Sequence, residues 1–236
     1  MQGIEVRGLV KSYGTLRALD GVDLTVPPGT LTALVGKNGA GKSTLIRTLA
    51  TTILPDEGTV RVGGFDVREH PEQARRETGV FFGDERSFYW RLSGRENLRF
   101  FAALQGIRRR DVDRAVTAAL ASVDLLDVGD RRVDRYSSGM RARLGLARAL
   151  LGGPSVLLLD EPTKSIDPVT AADIRAHVTR IRSEANIAVL FATHDLHEAA
   201  SLADEDVILA NGRVAAVVPG GGETSALERV LIEANR

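Results

Sequence analysis

The sequence contains no cysteine, few aromatic residues and no excess of charge of either sign. The absence of cysteine from 236 residues excludes disulfides, thiol catalysis and cysteine-ligated metals. Basic and acidic residues both number 31, which argues against a general nucleic-acid surface, so we expect no direct nucleic-acid partner. Wholly apolar stretches, such as residues 187–192, are too short to span a membrane. No signal peptide is visible at the start, and the composition predicts a soluble, cytoplasmic protein.

The pattern of strand-like and helix-like segments predicts an α/β protein. Extended segments over residues 4–26 and a hairpin around Gly63-Gly64 predict antiparallel strands. Residues 91–151 show helical spacing of apolar side chains, and strand–helix alternation returns after residue 156. We expect one domain with a parallel-sheet core, an N-terminal antiparallel β subdomain and an α-helical insert. The core and β subdomain would take about residues 1–90 and 152–218, the helical subdomain about 91–151, and a short tail 219–236.

Residues 36–43 fit the phosphate-loop pattern G-x-x-x-x-G-K-[ST]. An apolar run precedes them and a helix-compatible stretch follows, as the pattern requires. Glycines allow successive N–H groups to converge on phosphate oxygens, and the start of the helix adds the positive end of its dipole. Lys42 would supply charge to the β- and γ-phosphates, and the Ser43 hydroxyl would bind Mg²⁺. The predicted nucleotide-binding residues of this segment are Gly36, Lys37, Asn38, Gly39, Ala40, Gly41, Lys42, Ser43 and Thr44.

Two acids, Asp160 and Glu161, follow the apolar run at residues 156–159. An acid at the carboxyl end of a buried parallel strand lies at the edge where α/β sheets bind ligands. Asp160 is therefore a candidate magnesium ligand together with Ser43, and Glu161 is a candidate base for an attacking water. Taken alone, the pair would favour surface acids that cap the next helix, but the apolar strand and the phosphate loop favour the catalytic interpretation.

Further motifs resemble those of ABC ATPases, in the order and rough spacing of that family, over about residues 4–218. Residues 136–150 begin Tyr136-Ser137-Ser138-Gly139-Met140 and resemble the signature region, usually L-S-G-G-Q followed by a helix. Thr193-His194-Asp195 resembles the switch histidine, residues 164–167 resemble the D-loop, and Tyr13 resembles the aromatic residue that stacks on adenine. The resemblance implies that the chain binds ATP and Mg²⁺, with Glu161, His194 and Lys42 as its catalytic residues.

The resemblance also implies a dimer, either a homodimer or a pair with another ABC subunit, in which two chains meet head to tail around two ATP molecules. Each site would combine the phosphate loop of one chain with Ser137, Ser138 and Gly139 of the other. The amino end of a helix beginning near Ser138 would offer donors to a γ-phosphate. In isolation, the same residues would be no more than a plausible helix-start turn.

The sequence departs from the family pattern at two motifs. The signature has Ser138 in place of the first glycine and Met140 in place of glutamine, while Ser137 and Gly139 are retained, so we expect hydrolysis to persist. No glutamine occurs where the Q-loop would fall, near residues 79–85. Asp84 could supply a carboxylate oxygen to Mg²⁺ there, and a surface acid without a ligand role is an equal alternative.

Five of the 11 aromatic residues, Phe81, Phe82, Phe88, Tyr89 and Trp90, fall within ten positions. We expect Phe81 and Phe82 to belong to a strand, whereas the run 88–90 lies between charged residues and cannot all face one core. In the resembled family this region meets a membrane subunit, and exposed clustered aromatics would suit such an interface.

The leading hypothesis is therefore the ATP-hydrolysing subunit of an ABC transporter, similar to the ABC-2 type export branch. It would be held on the cytoplasmic face of the membrane by a separate permease that binds Phe88–Trp90. The alternatives are an ABC ATPase that acts on ribosomes or nucleic acid, and a P-loop kinase. Paired ATPase domains or a coiled-coil arm would favour the first alternative, and an acceptor site would favour the second.

Overall fold

The computed structural model describes residues 2–82, 88–164 and 166–234, which fold around two β-sheets. In chain order the strands are β1 Ile4–Tyr13, β2 Leu16–Val26, β3 Leu31–Val35, β4 Glu57–Val62, β5 Phe65–Asp66, β6 Thr78–Phe81, β7 Val156–Asp160, β8 Ala188–Thr193, β9 Glu205–Ala210 and β10 Arg213–Pro219. The α-helices are α1 Lys42–Leu49, α2 Pro71–Arg76, α3 Gly94–Leu104, α4 Val112–Ala121, α5 Ser138–Ala149, α6 Pro168–Ala185, α7 Leu196–Leu202 and α8 Thr224–Ala234. Together they confirm the expected α/β class.

The smaller sheet is antiparallel and has the strand order β2-β1-β4-β5. Along the first half of β1, buried Ile4 and Val6 alternate with exposed Glu5 and Arg7, which is typical of a sheet with one covered face. A two-residue Gly63-Gly64 turn joins β4 to β5, and both glycines have positive φ, as a type I′ turn requires. This sheet is the predicted N-terminal β subdomain.

The larger sheet has the order β10-β9-β3-β8-β7-β6, in which all neighbours are parallel except β10 and β9. Strand β3 lies between β8 and β9, and all five of its residues are buried. Since β3, β7 and β8 are parallel neighbours in the order β3-β8-β7, their carboxyl ends meet at one edge of the sheet. The loops after these strands carry the motifs predicted to form the site.

Helices α3, α4 and α5 form the expected insert between β6 and β7. Helix α3 begins with a capping box, because the Ser93 hydroxyl accepts from the Glu96 N–H while the Glu96 carboxylate accepts from the Ser93 N–H. The buried faces of the insert share one apolar cluster with Phe81 of β6 and Phe191 of β8. The insert is thus packed onto the core sheet.

Some local expectations differ from the structure. Helix α2 was not expected; Pro71 stands at its first turn, where a missing N–H costs no helical hydrogen bond. Strand β6 ends at Phe81, so Phe82 lies outside it and is exposed.

The terminal helix α8 packs on the core through buried Leu227. No helix in residues 2–82, 88–164 and 166–234 is long and apolar enough to cross a membrane.

Candidate nucleotide-binding site

The phosphate loop connects β3 to α1 and is held closely against neighbouring backbone. Gly41 precedes α1 with φ of 109°, and a Cβ atom there would lie 2.5 Å from the Ala18 carbonyl oxygen. A Cβ atom at Gly36 would clash with the carbonyl oxygen of Leu209. Glycine is therefore required at both positions, by the left-handed backbone at Gly41 and by the close approach at both.

Lys42 begins α1 with its side chain buried inside this loop. Its ammonium donates to the carbonyl oxygens of Gly36 at 2.6 Å and Lys37 at 3.2 Å. Burial lowers the pKa of Lys42, and the nearby carboxylates of Glu161 and Asp160 oppose that shift. The lysine charge and the two acids predicted from sequence are therefore close enough to interact across the site.

Asp160 is the last residue of β7, and Ser43 lies in the first turn of α1. Asp160 Oδ1 is buried without a hydrogen-bond partner, so one acceptor is available to a cation. Mg²⁺ is usually held by one or two carboxylates together with substrate phosphates rather than by a cluster of acids. Among the described residues, no group of three or more acidic or histidine side chains is arranged so that it could hold a metal ion by itself. Asp160 and Ser43 thus fit a magnesium ion that is shared with nucleotide phosphates.

Glu161 follows β7 with φ of 53°, a conformation that residues other than glycine seldom adopt. Its N–H donates to the carbonyl oxygen of Ala192 at 2.9 Å, which fixes the turn against β8. Its carboxylate Oε2 lies 2.7 Å from Nδ1 of His194, the residue directly after β8. Two adjacent strands therefore bring together the predicted base and the predicted switch histidine, and the histidine can orient the carboxylate towards a water.

A second carboxylate beneath these loops was missed by the sequence reasoning. Glu198 on α7 accepts from the hydroxyls of Thr163 and Thr193 at 2.6 and 2.8 Å. The local sequence predicts a different role for Glu198, because an acid three residues after a helix cap such as Asp195 is typical of a capping box. Asp195 caps α7 by accepting from the N–H groups of His197 and Glu198.

The structure does not bring the signature residues to the phosphate loop of the same chain. Ser137 caps α5 by accepting from the Met140 N–H at 3.2 Å, and Ser137 and Ser138 are exposed. Gly139 lies against Thr170 on α6, where an added Cβ would be 3.1 Å from the Thr170 hydroxyl. Within the described part of the chain, no hydrogen bond or ion pair joins residues 137–139 to residues 36–43. Their helix start faces solvent and is free to meet a second molecule.

Tyr13 ends β1 with its ring exposed, and Lys11 Nζ lies 5.7 Å from the ring centroid. The same β1–β2 hairpin contributes the Ala18 carbonyl that approaches Gly41, so the hairpin packs on the phosphate loop. Tyr13 is therefore carried by an element that contacts the site. Asp84, the candidate replacement for the Q-loop glutamine, lies outside the described residues, as does Ser165 of the D-loop-like segment.

The expectation that Phe88, Tyr89 and Trp90 form one exposed surface is wrong for Phe88. Phe88 is 4% exposed and packs edge-on against Phe101, with the Arg148 guanidinium 5.4 Å from its ring. Tyr89 and Trp90 are 50% and 46% exposed. In this irregular segment one ring turns inward under the insert and the next two turn outward.

The outward rings join other exposed apolar side chains. Tyr89 packs edge-on against Phe100 with ring centroids 4.9 Å apart, and Leu104 follows one turn later on α3. The Arg141 guanidinium on α5 lies 5.4 Å from the Trp90 ring centroid. We refer to Tyr89, Trp90, Phe100 and Leu104 as the aromatic patch.

A mixed-sheet core, a phosphate loop, two acids at the carboxyl end of β7 and a histidine after β8 define an ATP-binding cassette. The family model described as "ABC transporter" matches residues 19–164 of this sequence. The chain therefore belongs to the ABC transporter family, as an ATP-hydrolysing, ATP-binding subunit.

Individual relatives agree with this assignment. The daunorubicin/doxorubicin resistance ATP-binding protein DrrA of Streptomyces peucetius is 40% identical over 226 residues, covering 96% of this chain and 68% of DrrA. The crystal structure of the ADP conformation of MJ1267, an ATP-binding cassette of an ABC transporter, matches with a TM-score of 0.86 at 25% identity. The match covers 99% of this chain and 98% of the MJ1267 chain. The dimeric structure of the cassette MJ0796 with ADP and phosphate shares the fold, with a TM-score of 0.77 at 21% identity. This match covers 93% of this chain and 100% of the MJ0796 chain.

Proposed function

We propose that this subunit powers export through a separate membrane permease, using two Mg²⁺–ATP molecules held between two head-to-tail ATP-binding subunits. The observation that carries the permease proposal is the aromatic patch, because a cluster of large exposed apolar side chains commonly marks a surface that a partner covers. The Streptomyces relatives are named for resistance to daunorubicin, which supports export as the direction of transport.

Hydrolysis in the proposed site depends mainly on positioning and charge. Lys42 and the loop N–H groups would hold the phosphates, and Asp160 with Ser43 would hold Mg²⁺, which supplies charge neutralisation when bound. Glu161 accepts the proton of the attacking water, and His194 keeps the Glu161 carboxylate oriented through the 2.7 Å contact. Tyr13 would stack on the adenine.

The dimer proposal is supported by the solvent-facing start of α5. The signature residues 137–139 have no hydrogen bond to the phosphate loop of their own chain within the described residues, so a site that uses both needs a second molecule. Ser137 and Ser138 are exposed at the start of a 12-residue helix, and the positive end of a helix dipole suits an anionic γ-phosphate.

The permease proposal is tested by membrane attachment. Cells of the native host would express tagged chain carrying Trp90→Ala, Tyr89→Ala or, as a matched control, Leu54→Ala, which truncates an exposed apolar side chain outside the patch. Each patch variant should move from the membrane fraction to the soluble fraction while its purified ATPase activity stays normal. Truncation of a buried aromatic anchor commonly costs an interface about 2 kcal/mol or more, which is over tenfold in affinity. Unchanged membrane attachment of both patch variants would contradict the proposal.

The export proposal is tested with daunorubicin as the first candidate solute, because two Streptomyces relatives are named for resistance to it. Cells that lack this chain should accumulate more daunorubicin than cells that contain it. Wild-type chain should restore low accumulation, and Glu161→Gln should not. Equal accumulation with and without the chain would exclude daunorubicin as the solute.

A further inference from the structure

Glu198 is a buried acid that touches both loops carrying the proposed catalytic groups. Its side chain is 2% exposed. Oε1 accepts from the Thr163 hydroxyl at 2.6 Å, and Oε2 accepts from the Thr193 hydroxyl at 2.8 Å. Each oxygen of one carboxylate is therefore bound to a different loop.

A carboxylate is costly at this depth unless it is compensated. Besides the two hydroxyl donors, the Arg175 guanidinium on α6 lies 4.0 Å from Oε1. The cap of α7 does not need Glu198, because the Asp195 side chain accepts from the helix N–H groups and the Asp195 N–H itself donates to the Thr193 hydroxyl at 3.0 Å. The Glu198 carboxylate therefore joins the loop that carries Thr163 to the loop that carries Thr193.

The two threonines are placed close to the reacting groups along the chain. Thr163 lies two residues after Glu161, with Pro162 between them restricting the backbone. Thr193 lies directly before His194. Any change in the distance between the two threonines would therefore alter the 2.7 Å contact between Glu161 and His194.

We propose that Glu198 is a positioning residue that fixes Glu161 relative to His194, by bridging the Thr163 and Thr193 hydroxyls beneath them. This inference rests on the proposed roles of Glu161 and His194, and it does not depend on the permease. Because Glu198 does not touch the nucleotide loop, its loss should lower the rate of hydrolysis and leave the binding of ATP unchanged.

The test uses Thr163→Val, which has a similar shape but no hydroxyl, Thr163→Ser, which keeps the hydroxyl, and Glu198→Gln. Thr163→Val and Glu198→Gln should lower kcat for ATP hydrolysis by about tenfold to a hundredfold, as small misplacements of catalytic groups do. The KM for ATP and the affinity for ATP should stay within about twofold. Thr163→Ser should retain most of the wild-type kcat, because it keeps the hydroxyl. Ser201→Ala is the matched control, because the Ser201 hydroxyl donates to the Glu198 backbone carbonyl and not to the carboxylate.

The pH dependence of kcat separates positioning from stability. Loss of the bridge should shift the pH at which kcat is half-maximal in Thr163→Val, since the contact between base and histidine changes. A merely structural role would lower the melting temperature and leave the kcat of the folded protein and its pH dependence unchanged, and that result would overturn the proposal. Glu161→Gln tells a wrong assignment of the base from a wrong assignment of the bridge. If Glu161→Gln hydrolyses ATP at the normal rate, Glu161 is not the base. If Glu161→Gln is slow while Thr163→Val is normal, the assignment of the base stands and only the proposed role of the Glu198 bridge is wrong.

Discussion

At the scale of single residues, Glu161 combines a left-handed backbone with a short hydrogen bond to His194. A residue with a Cβ atom in this conformation costs on the order of 1 kcal/mol or more, and persists only when its surroundings hold it. The hydrogen bonds from the Glu161 N–H to Ala192 and from His194 to the carboxylate supply that support. The strain is thus concentrated where the carboxylate has to point at a reacting water.

Glu161→Gln keeps the shape of the side chain and removes the basic carboxylate. We expect kcat to fall by about a hundredfold or more, the usual contribution of a general base, with ATP affinity retained. Lys42→Ala should instead lose most of the ATP affinity. Steady-state ATPase assays and equilibrium binding of a fluorescent ATP analogue measure the two effects. Near-normal turnover of purified Glu161→Gln would show that another group is the base.

Asp206 on β9 is a buried acid outside the site. It is 0% exposed, and neither carboxylate oxygen has a hydrogen-bond partner. Burial raises the pKa of Asp206 from 3.8 to about 6, with a smaller contribution from the neighbouring Glu205 carboxylate. The folded state therefore favours the protonated acid, and the free energy of unfolding should fall as the pH rises from about 4 through about 6.

Asp206→Asn removes this penalty. The free energy of unfolding should rise by about 3 kcal/mol at pH 8, since one pKa unit corresponds to about 1.4 kcal/mol and the pKa lies at about 6 instead of 3.8, and should change little at pH 4. Urea unfolding of variant and wild type across this range measures the difference. Glu228→Gln, which alters an exposed acid on α8, is the control and should show no such trend. A pH-independent difference for Asp206→Asn would mean that folding does not raise the pKa of Asp206.

The residues that sequence predicted are those whose local pattern has a chemical meaning. Lys42, Asp160, Glu161 and His194 each belong to a short motif at the carboxyl end of a strand, and parallel strand order brings these ends together. Glu198 could not be found in this way, because one of its partners is 35 residues distant in the chain and its local pattern imitates a helix cap.

At the scale of elements, the segment 88–90 shows what periodicity cannot predict. Strand and helix alternation was readable along most of the chain because each regular element repeats its buried face. The segment before α3 is irregular, so its three consecutive aromatics carry no such repeat. Only the structure shows that Phe88 enters the core while Tyr89 and Trp90 face outward.

Truncation of these three rings should therefore give unequal losses of stability. Phe88→Ala should lower the free energy of unfolding by about 3–5 kcal/mol, the usual cost of emptying a buried phenylalanine site. Tyr89→Ala and Trp90→Ala should each cost less than about 1 kcal/mol, including the Trp90 contact with Arg141. Chemical denaturation of the purified variants measures all three. If Trp90→Ala were as destabilising as Phe88→Ala, the aromatic patch would be part of the core rather than a surface for a partner.

At the scale of the whole molecule, the proposed dimer predicts recovery of activity from two inactive chains. Ser137→Arg and Lys42→Ala should each be inactive alone, because every composite site in either homodimer is damaged. In a mixed dimer both defects fall in one site, and the other site is intact. Random mixing should therefore recover about a quarter of the wild-type activity, as two-fold symmetry implies. Mixtures that remain inactive, when crosslinking shows mixed dimers, would contradict the split site.

The position of β3 between β8 and β9 has a consequence for synthesis of the chain. The phosphate loop leaves the ribosome early, but both strands that flank β3 lie beyond residue 187. At usual elongation rates the apolar β3 segment waits roughly ten seconds or more for its neighbours. A nascent or truncated chain that ends before β8 lacks the sheet that shapes the loop, so we expect it to bind no ATP. Incomplete copies would then present an unpaired apolar strand, by which chaperones or proteases would recognise them.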